Sequence, residues 1–201
     1  MHPVRAGVPE EGDIHEREKM KCDIIIVGVG GQGILVTSNV IAQAALDSGL
    51  DVKKSETHGM AQRGGSVVTH VRIGDRVDGV LIPKGEADIM IASEPVEGLR
   101  YMDYLKKDGK AIVNSEPIKV PGYPIMEAVR DELLKQGATI IDAMDLAAKA
   151  GHPLTQSIVL VGAASQFLPI KEEALKEAIK KVVGKKIDEN LAAFDLGKSA
   201  K

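Results

Sequence analysis

The 201-residue chain has no tryptophan, two phenylalanines and three tyrosines. Its core must therefore be aliphatic, and a platform of stacked aromatics for single-stranded nucleic acid is excluded. Cysteine occurs once, as Cys22, which rules out an intrachain disulfide and also an iron–sulfur cluster held by four thiolates of this chain alone. No apolar run approaches the roughly 20 residues of a membrane helix. Neither sign of charge dominates: 26 lysines and arginines stand against 29 acids, a formal charge of -3, with no long basic tract. Neither nucleic acid nor membrane is expected as a partner. Several chemical signatures are missing as well. There is no Gly-x-Ser-x-Gly elbow, no phosphate loop ending in Gly-Lys-Ser/Thr, no acid cluster for magnesium, and no histidine pair spaced for a metal. Catalytic and metal-ligating residues are accordingly expected to be none.

With 44% apolar residues the chain can bury one good core. Residues 1–21 read as a flexible polar leader and 22–201 as a single α/β domain. The leader lacks the apolar centre of a signal peptide, so a cytoplasmic location is expected, and Met20 is a second candidate start.

The most informative stretch is Cys22-Asp-Ile-Ile-Ile-Val-Gly-Val-Gly-Gly-Gln-Gly-Ile34. Four β-branched residues, Ile24 to Val27, run into a glycine turn and then a helical pattern. Gly28, Gly30 and Gly33 have the spacing G-x-G-x-x-G, and the helix N-terminus behind Gly31, Gln32 and Gly33 suits a phosphate or carboxylate. Periodicity predicts strands over 23–28, 52–56, 66–73, 87–92, 110–114 and 138–142, and helices over 32–48, 94–106 and 127–136. Ile34, Leu35, Ile41, Ala42, Ala45 and Leu46 form the expected buried stripe of the first helix. Gly74-Asp75-Arg76 predicts a hairpin between 66–73 and 77–82, an insertion into an otherwise alternating pattern. The last third reads as helices over 142–150, 155–167, 171–183 and 188–194. The fold class is thus a three-layer, Rossmann-like α/β domain: a mostly parallel sheet, a β-hairpin insertion and a helical C-terminal third.

A second loop, Ser55-Glu-Thr-His-Gly-Met-Ala-Gln-Arg-Gly-Gly65, is too specialised for a plain connector. Glu56 ends the second strand, where a dinucleotide-binding fold places its ribose acid. His58, Gln62 and Arg63, bracketed by Gly64 and Gly65, suit a charged ligand or a partner surface, and Arg63 can grip a carboxylate or phosphate bidentately. The residues alone leave two readings open: ligand binding, or a loop whose His58 and Arg63 satisfy carbonyls and pair with Glu56. His70 reads as a packing residue of its strand and His152 as a cap at a helix boundary.

Three stretches carry a resemblance: Gly-Val-Gly-Gly-Gln-Gly-Ile at 28–34, Glu-Thr-His-Gly-Met-Ala-Gln-Arg-Gly-Gly at 56–65 and Val-Val-Thr-His-Val-Arg-Ile-Gly at 67–74. Together they resemble the gamma-type domain family of 2-oxoacid:ferredoxin oxidoreductases, and the indolepyruvate branch is nearest in wording. Gly85-Glu-Ala-Asp88, Ser93-Glu-Pro95, Asn114 and Asn190 to Phe194 extend the match over about residues 22–197. The resemblance implies a subunit, inactive alone, of a complex whose larger partner holds thiamine diphosphate, magnesium and 4Fe–4S clusters. Coenzyme A would be the co-substrate and ferredoxin the electron acceptor. It also implies that the loops at 28–33 and 58–65 converge at the carboxyl ends of adjacent strands, facing the partner's cofactor or the coenzyme A phosphates. The pyruvate or 2-oxoisovalerate enzymes of the same family, a free-standing NAD-binding protein and a scaffold without turnover are the alternatives.

Overall fold

A computed structural model describes residues 20–59, 64–118 and 122–200, so the expected leader lies outside the described residues except for Met20 and Lys21. Strand β1 (Lys21–Val29) leads to helix α1 (Ile34–Asp47), then β2 (Asp51–His58), β3 (Ser66–Gly74) and β4 (Ala87–Ala92). Helix α2 (Pro95–Arg100), β5 (Leu105–Asn114), α3 (Met126–Lys135) and β6 (Thr139–Ile141) follow. The chain closes with α4 (Ala143–Lys149), α5 (Gln156–Ala164), α6 (Glu172–Val183) and α7 (Ile187–Ser199).

The six strands lie in the order β2-β3-β1-β4-β5-β6. β1, β4, β5 and β6 are parallel, whereas β3 is antiparallel to both β1 and β2. Because β1 has neighbours on both sides and helices above and below, it is an unbroken apolar run rather than an alternating one. Ile24 and Ile26 face a cluster that holds Val40 and Ile41 of α1, Ala147 of α4, Ile158 of α5, Ile179 of α6 and Phe194 of α7. Ile25 and Val27 face the other cluster, with Val129 and Leu133 of α3 and the partly buried Val96 and Leu99 of α2. The expected three layers are therefore present. α5 is buried along nearly its whole length and crosses α7 closely. A Cβ on Gly162 would come within 2.1 Å of the Phe194 carbonyl oxygen, and one on Gly197 within 2.0 Å of that of Val159.

Three expectations are corrected. The hairpin exists, but its arms are β2 and β3, in register from Asp51 opposite Gly74 to His58 opposite Val67. Residues 77–82 form no strand, because β3 is already paired along both edges. They cross the sheet face instead, burying Val77 and Ile82, and the Ile82 N–H donates to His70 Nδ1 at 3.2 Å. The helix expected over 94–106 ends at Arg100, where a tight turn at Met102–Tyr104 leads into β5. In α1 the buried face is Ile34, Thr37, Ser38, Val40, Ile41, Ala44 and Ala45, while Leu35 and Leu46 are exposed. Thr37 and Ser38 are tolerated inside because each hydroxyl donates to a carbonyl of its own helix, Gly33 and Leu35 respectively.

At the opposite end of β1, Asp23 faces Arg72 across the β1–β3 ladder. The Asp23 side chain is fully buried, and Arg72 holds it with two bonds, Nε to Oδ1 at 2.8 Å and Nη2 to Oδ2 at 3.0 Å. Lys21 adds a contact at 2.8 Å. Cys22 lies beside this pair, its thiol pushed up to about 12 by burial and then by Asp88 and Asp23. That environment makes it a poor nucleophile and a poor metal ligand.

Candidate functional site

β1, β4, β5 and β6 end together at one edge of the sheet. From β1 the chain turns to α1 on one face, and from β4 it turns to α2 on the other. The crevice between those strand ends is a topological switch point, the place where open α/β sheets receive ligands.

The glycine loop at this point is held by a reciprocal pair. Val29 N–H donates to Gln32 Oε1 at 2.8 Å, and Gln32 N–H returns a bond to the Val29 carbonyl at 3.1 Å. Gly31 and Gly33 have φ of +105° and +79°, conformations that side chains rarely adopt. Gly28 serves close packing, since a Cβ there would lie 3.0 Å from both Gln32 Oε1 and Ser93 Cβ.

The second loop meets the first. Gly30 N–H donates to the Gly65 carbonyl at 2.9 Å, and Gly59 N–H closes on the Ser66 carbonyl at 2.8 Å. Ser66 Oγ then donates to the buried carboxylate of Glu97 at 2.5 Å. The loops thus converge, although their strands are not adjacent, because β3 intervenes. That insertion places Glu56 two strand spacings from β1, about 10 Å, rather than one. Glu56 pairs with His58 on its own strand. Glu56 is therefore not on the strand next to β1, where a dinucleotide-binding fold places its ribose acid. Gln62 and Arg63 lie outside the described residues.

An open cleft of about 690 Å³ adjoins the glycine loop. Of the residues singled out from sequence, Gly31, Gln32 and Gly33 line it, whereas Gly28, Gly30, Glu56, His58, Gly64 and Gly65 do not. Its other walls include Ser157 and Lys185, which the sequence reading passed over, and Ser93 and Asn114, which it noted only as part of the resemblance and gave no role. Asn114 links three elements: its Nδ2 donates to the Ser93 carbonyl at 3.2 Å and its Oδ1 accepts from Ala143 N–H at 3.2 Å. A polar residue directly after a buried parallel strand, as Ser93 is after β4, was the available signal. His152 also lines the cleft, and its Nδ1 accepts from Leu154 N–H at 3.2 Å, capping an N–H rather than a carbonyl. On the far side of β4, the buried Glu94 accepts from Glu97 N–H at 2.9 Å and from the Tyr123 hydroxyl. Burial and the Glu94 contact push the Tyr123 phenol upward, so it remains a donor. Among the described residues no three His, Cys, Asp or Glu side chains gather to hold a metal ion.

Fold and site together define a Rossmann-like α/β domain with a ligand-accessible carboxyl edge, built around two joined glycine loops. The family model described as pyruvate ferredoxin/flavodoxin oxidoreductase matches residues 23–200. The chain belongs to this family. It is 43% identical over 191 residues to indolepyruvate oxidoreductase subunit IorB of Pyrococcus horikoshii, covering 89% of this chain and 95% of the relative. Against the Archaeoglobus fulgidus subunit of the same name it is 45% identical over 190 residues, covering 89% and 94%. Among solved structures, 2-oxoglutarate:ferredoxin oxidoreductase from Magnetococcus marinus, with 2-oxoglutarate, coenzyme A and succinyl-CoA bound, superposes with a TM-score of 0.68 at 25% identity. That match covers 90% of this chain but 31% of the other, whose chain is therefore much longer.

Proposed function

We propose that this chain is the smaller subunit of an indolepyruvate:ferredoxin oxidoreductase, a complex that oxidatively decarboxylates aryl pyruvates to aryl-acetyl-CoA. One 2-oxoacid and one coenzyme A give carbon dioxide, the acyl thioester, one proton and two electrons, which leave singly for ferredoxin. The observation that carries this reading is the near end-to-end match, at 43–45% identity, to subunits so named. Thiamine diphosphate supplies the carbon–carbon bond cleavage and iron–sulfur clusters carry the electrons. Both are assigned to a larger partner subunit, because a chain with one buried cysteine has no ligand set for a cluster. The size difference from the Magnetococcus marinus chain supports such a partner, since the matching region is under a third of that chain. This subunit's part is to present the carboxyl edge, with its two joined loops, to the partner's site. A cytoplasmic location fits the soluble electron carrier, and no helix among the described residues is long and apolar enough to cross a membrane.

Anaerobic affinity purification of the tagged chain from its native cells tests the proposal. An iron-containing larger protein should copurify, and the complex should reduce a low-potential dye with indolepyruvate and coenzyme A, faster than with pyruvate or 2-oxoisovalerate. A chain recovered alone and inert overturns the subunit reading. A complex that prefers pyruvate or 2-oxoisovalerate overturns the substrate assignment.

A further inference from the structure

The two edges of the sheet are finished differently. β6 closes one side with three residues, a poor template for another strand, whereas β2 closes the other with eight. The pairing of β2 with β3 fixes where those eight residues direct their polar groups. Asp51 lies opposite Gly74 and His58 opposite Val67, and Gly59 N–H extends that register by donating to the Ser66 carbonyl at 2.8 Å. Hydrogen-bonded positions alternate in an antiparallel ladder, so the odd-numbered residues of β2 bond to β3. Val52, Lys54, Glu56 and His58 therefore turn their N–H and carbonyl groups outward. The other edge of β3 agrees: Asp75 N–H donates to the Met20 carbonyl at 3.1 Å, so the odd-numbered residues of β3 serve β1 and the even-numbered ones serve β2. The outward groups of β2 have no backbone partner among the described residues.

The side chains of the same four residues share the face covered by α1. Val52 packs against the core there, Lys54 donates to Ser38 and Asn39 of α1, and Glu56 pairs with His58. A second copy related by a two-fold axis perpendicular to the sheet lays its β2 antiparallel to the first with the faces matched, so residues of one face oppose only one another. Charge then selects the register. Centring the junction on Lys54 sets lysine against lysine, and centring it on Glu56 sets acid against acid, both destabilising. Centring it on Ser55 sets Lys54 of each copy opposite Glu56 of the other, and Val52 opposite His58. All of these fall at positions whose backbone groups point outward. Lys53 and Lys54 also discourage unrelated strands from the same edge.

α1 adds an independent observation. Leu35 and Leu46 are 47% and 54% exposed, and they lie on the stripe of the helix that includes Asn39, the residue held by Lys54. In the two-fold arrangement the two copies of α1 flank the junction on the same face, and these stripes look toward each other across it.

We propose that β2 is an interface strand and that its partner is the β2 of a second copy of this chain, paired antiparallel about Ser55 so that the two sheets become one. The interface is separate from the carboxyl edge, since it runs along the side of the sheet. It leaves the glycine loops of both copies open.

The test is sedimentation of the full chain over a range of concentrations. A mass twice the 21.4 kDa of one chain is expected. Glu56→Lys should raise the dimer dissociation constant by about tenfold, because both cross-strand pairs become repulsive. Lys54→Glu/Glu56→Lys should restore the dimer, since the exchange regenerates both pairs in the same register. Circular dichroism of each variant shows whether it is folded. Disulfide formation reads the register. Ser55 opposes its own copy at a non-hydrogen-bonded position, where Cα atoms stand about 4.5 Å apart, within disulfide reach. Ser55→Cys should give a covalent dimer under mild oxidation, whereas Lys53→Cys, four residues out of register with its copy and about 13 Å from it, should not. Cys22 is buried, so the parent should stay unlinked. A monomer at every concentration, a Glu56→Lys chain that dimerises like the parent, or a charge exchange that stays monomeric overturns the proposal. So does a Ser55→Cys chain that links to the larger subunit in place of its own copy. The purification above is a separate readout: a strand-paired dimer recovered without a larger subunit keeps this interface and removes the subunit reading, and a complex in which Ser55→Cys finds no second copy does the reverse.

Discussion

Gly33 sits against Ser157: a Cβ on Gly33 would lie 2.8 Å from the Ser157 Cβ and 3.0 Å from its hydroxyl oxygen. The start of α1 and the start of α5 are therefore as close as two backbones with one small side chain between them allow. Gly33 also has a φ of +79°. Gly33→Ala meets both obstacles and should cost about 2–4 kcal/mol, from left-handed strain plus overpacking. Urea unfolding measures it, and Gly33→Ala/Ser157→Gly should recover the packing part. An unchanged midpoint for the single variant would show that this contact relaxes freely.

Arg72→Ala leaves the fully buried Asp23 with the half-exposed Lys21 as its remaining cation. Removing one partner of a buried pair costs about 3–5 kcal/mol, because the other charge is stranded. Asp23→Leu/Arg72→Leu should recover much of that loss. If Arg72→Ala unfolds at the parental denaturant concentration, Lys21 alone suffices.

The pH dependence of stability should carry a contribution from His70. Burial, and after it the Arg72 charge, hold its pKa below the ordinary 6.5. The folded protein thus binds fewer protons at this position than the unfolded chain. The stabilisation is complete above 6.5 and is lost as pH falls through the lowered native value. Protonation would also end the bond that Nδ1 accepts from Ile82 N–H. His70→Asn should be less stable at neutral pH, with a shallower decline on acidification, as read from thermal midpoints across the acid range. Parallel pH profiles for parent and variant would remove His70 from the account.

Arg63→Ala addresses the second loop, which is joined to the glycine loop by the bond from Gly30 N–H to the Gly65 carbonyl. The expected outcome is weaker dependence on coenzyme A, seen as a raised KM, or a smaller yield of assembled complex at unchanged subunit stability. A variant that assembles and turns over like its parent would deprive Arg63 of a functional role.

Most of the elements were legible because their signals are local. The run Ile24 to Val27 leading into glycines specifies a strand and turn wherever the chain goes, and Leu175, Ala178 and Ile179 mark the inner face of α6 at helical spacing. Strand order was not legible. Val77 to Ile82 has the composition of a strand, and only the occupation of both β3 edges turns it into a cover for the sheet. The glycine loop was visible for the same local reason, whereas Ser93, Ser157 and Lys185 reach one cleft from distant parts of the chain. Each alone looks like an ordinary serine or surface lysine. The exposed Leu35 shows the limit within a single helix: small polar residues on the buried face shifted the apparent stripe by one position.

The way α6 and α7 lie has a practical bearing on how this chain can be handled. Val183, at the end of α6, and Lys186, at the start of α7, are both at the cleft, whereas Lys198 near the end of α7 pairs with Glu172 at the start of α6. Ser199 is thus separated from the cleft by the length of a 13-residue helix, about 20 Å. Lys21 opens β1 at the sheet edge opposite the strand ends, a 9-residue strand away, about 30 Å. Tags, fluorophores or a covalent graft onto another polypeptide at either position would leave the ligand-facing edge open, so immobilisation through them should preserve whatever docks there.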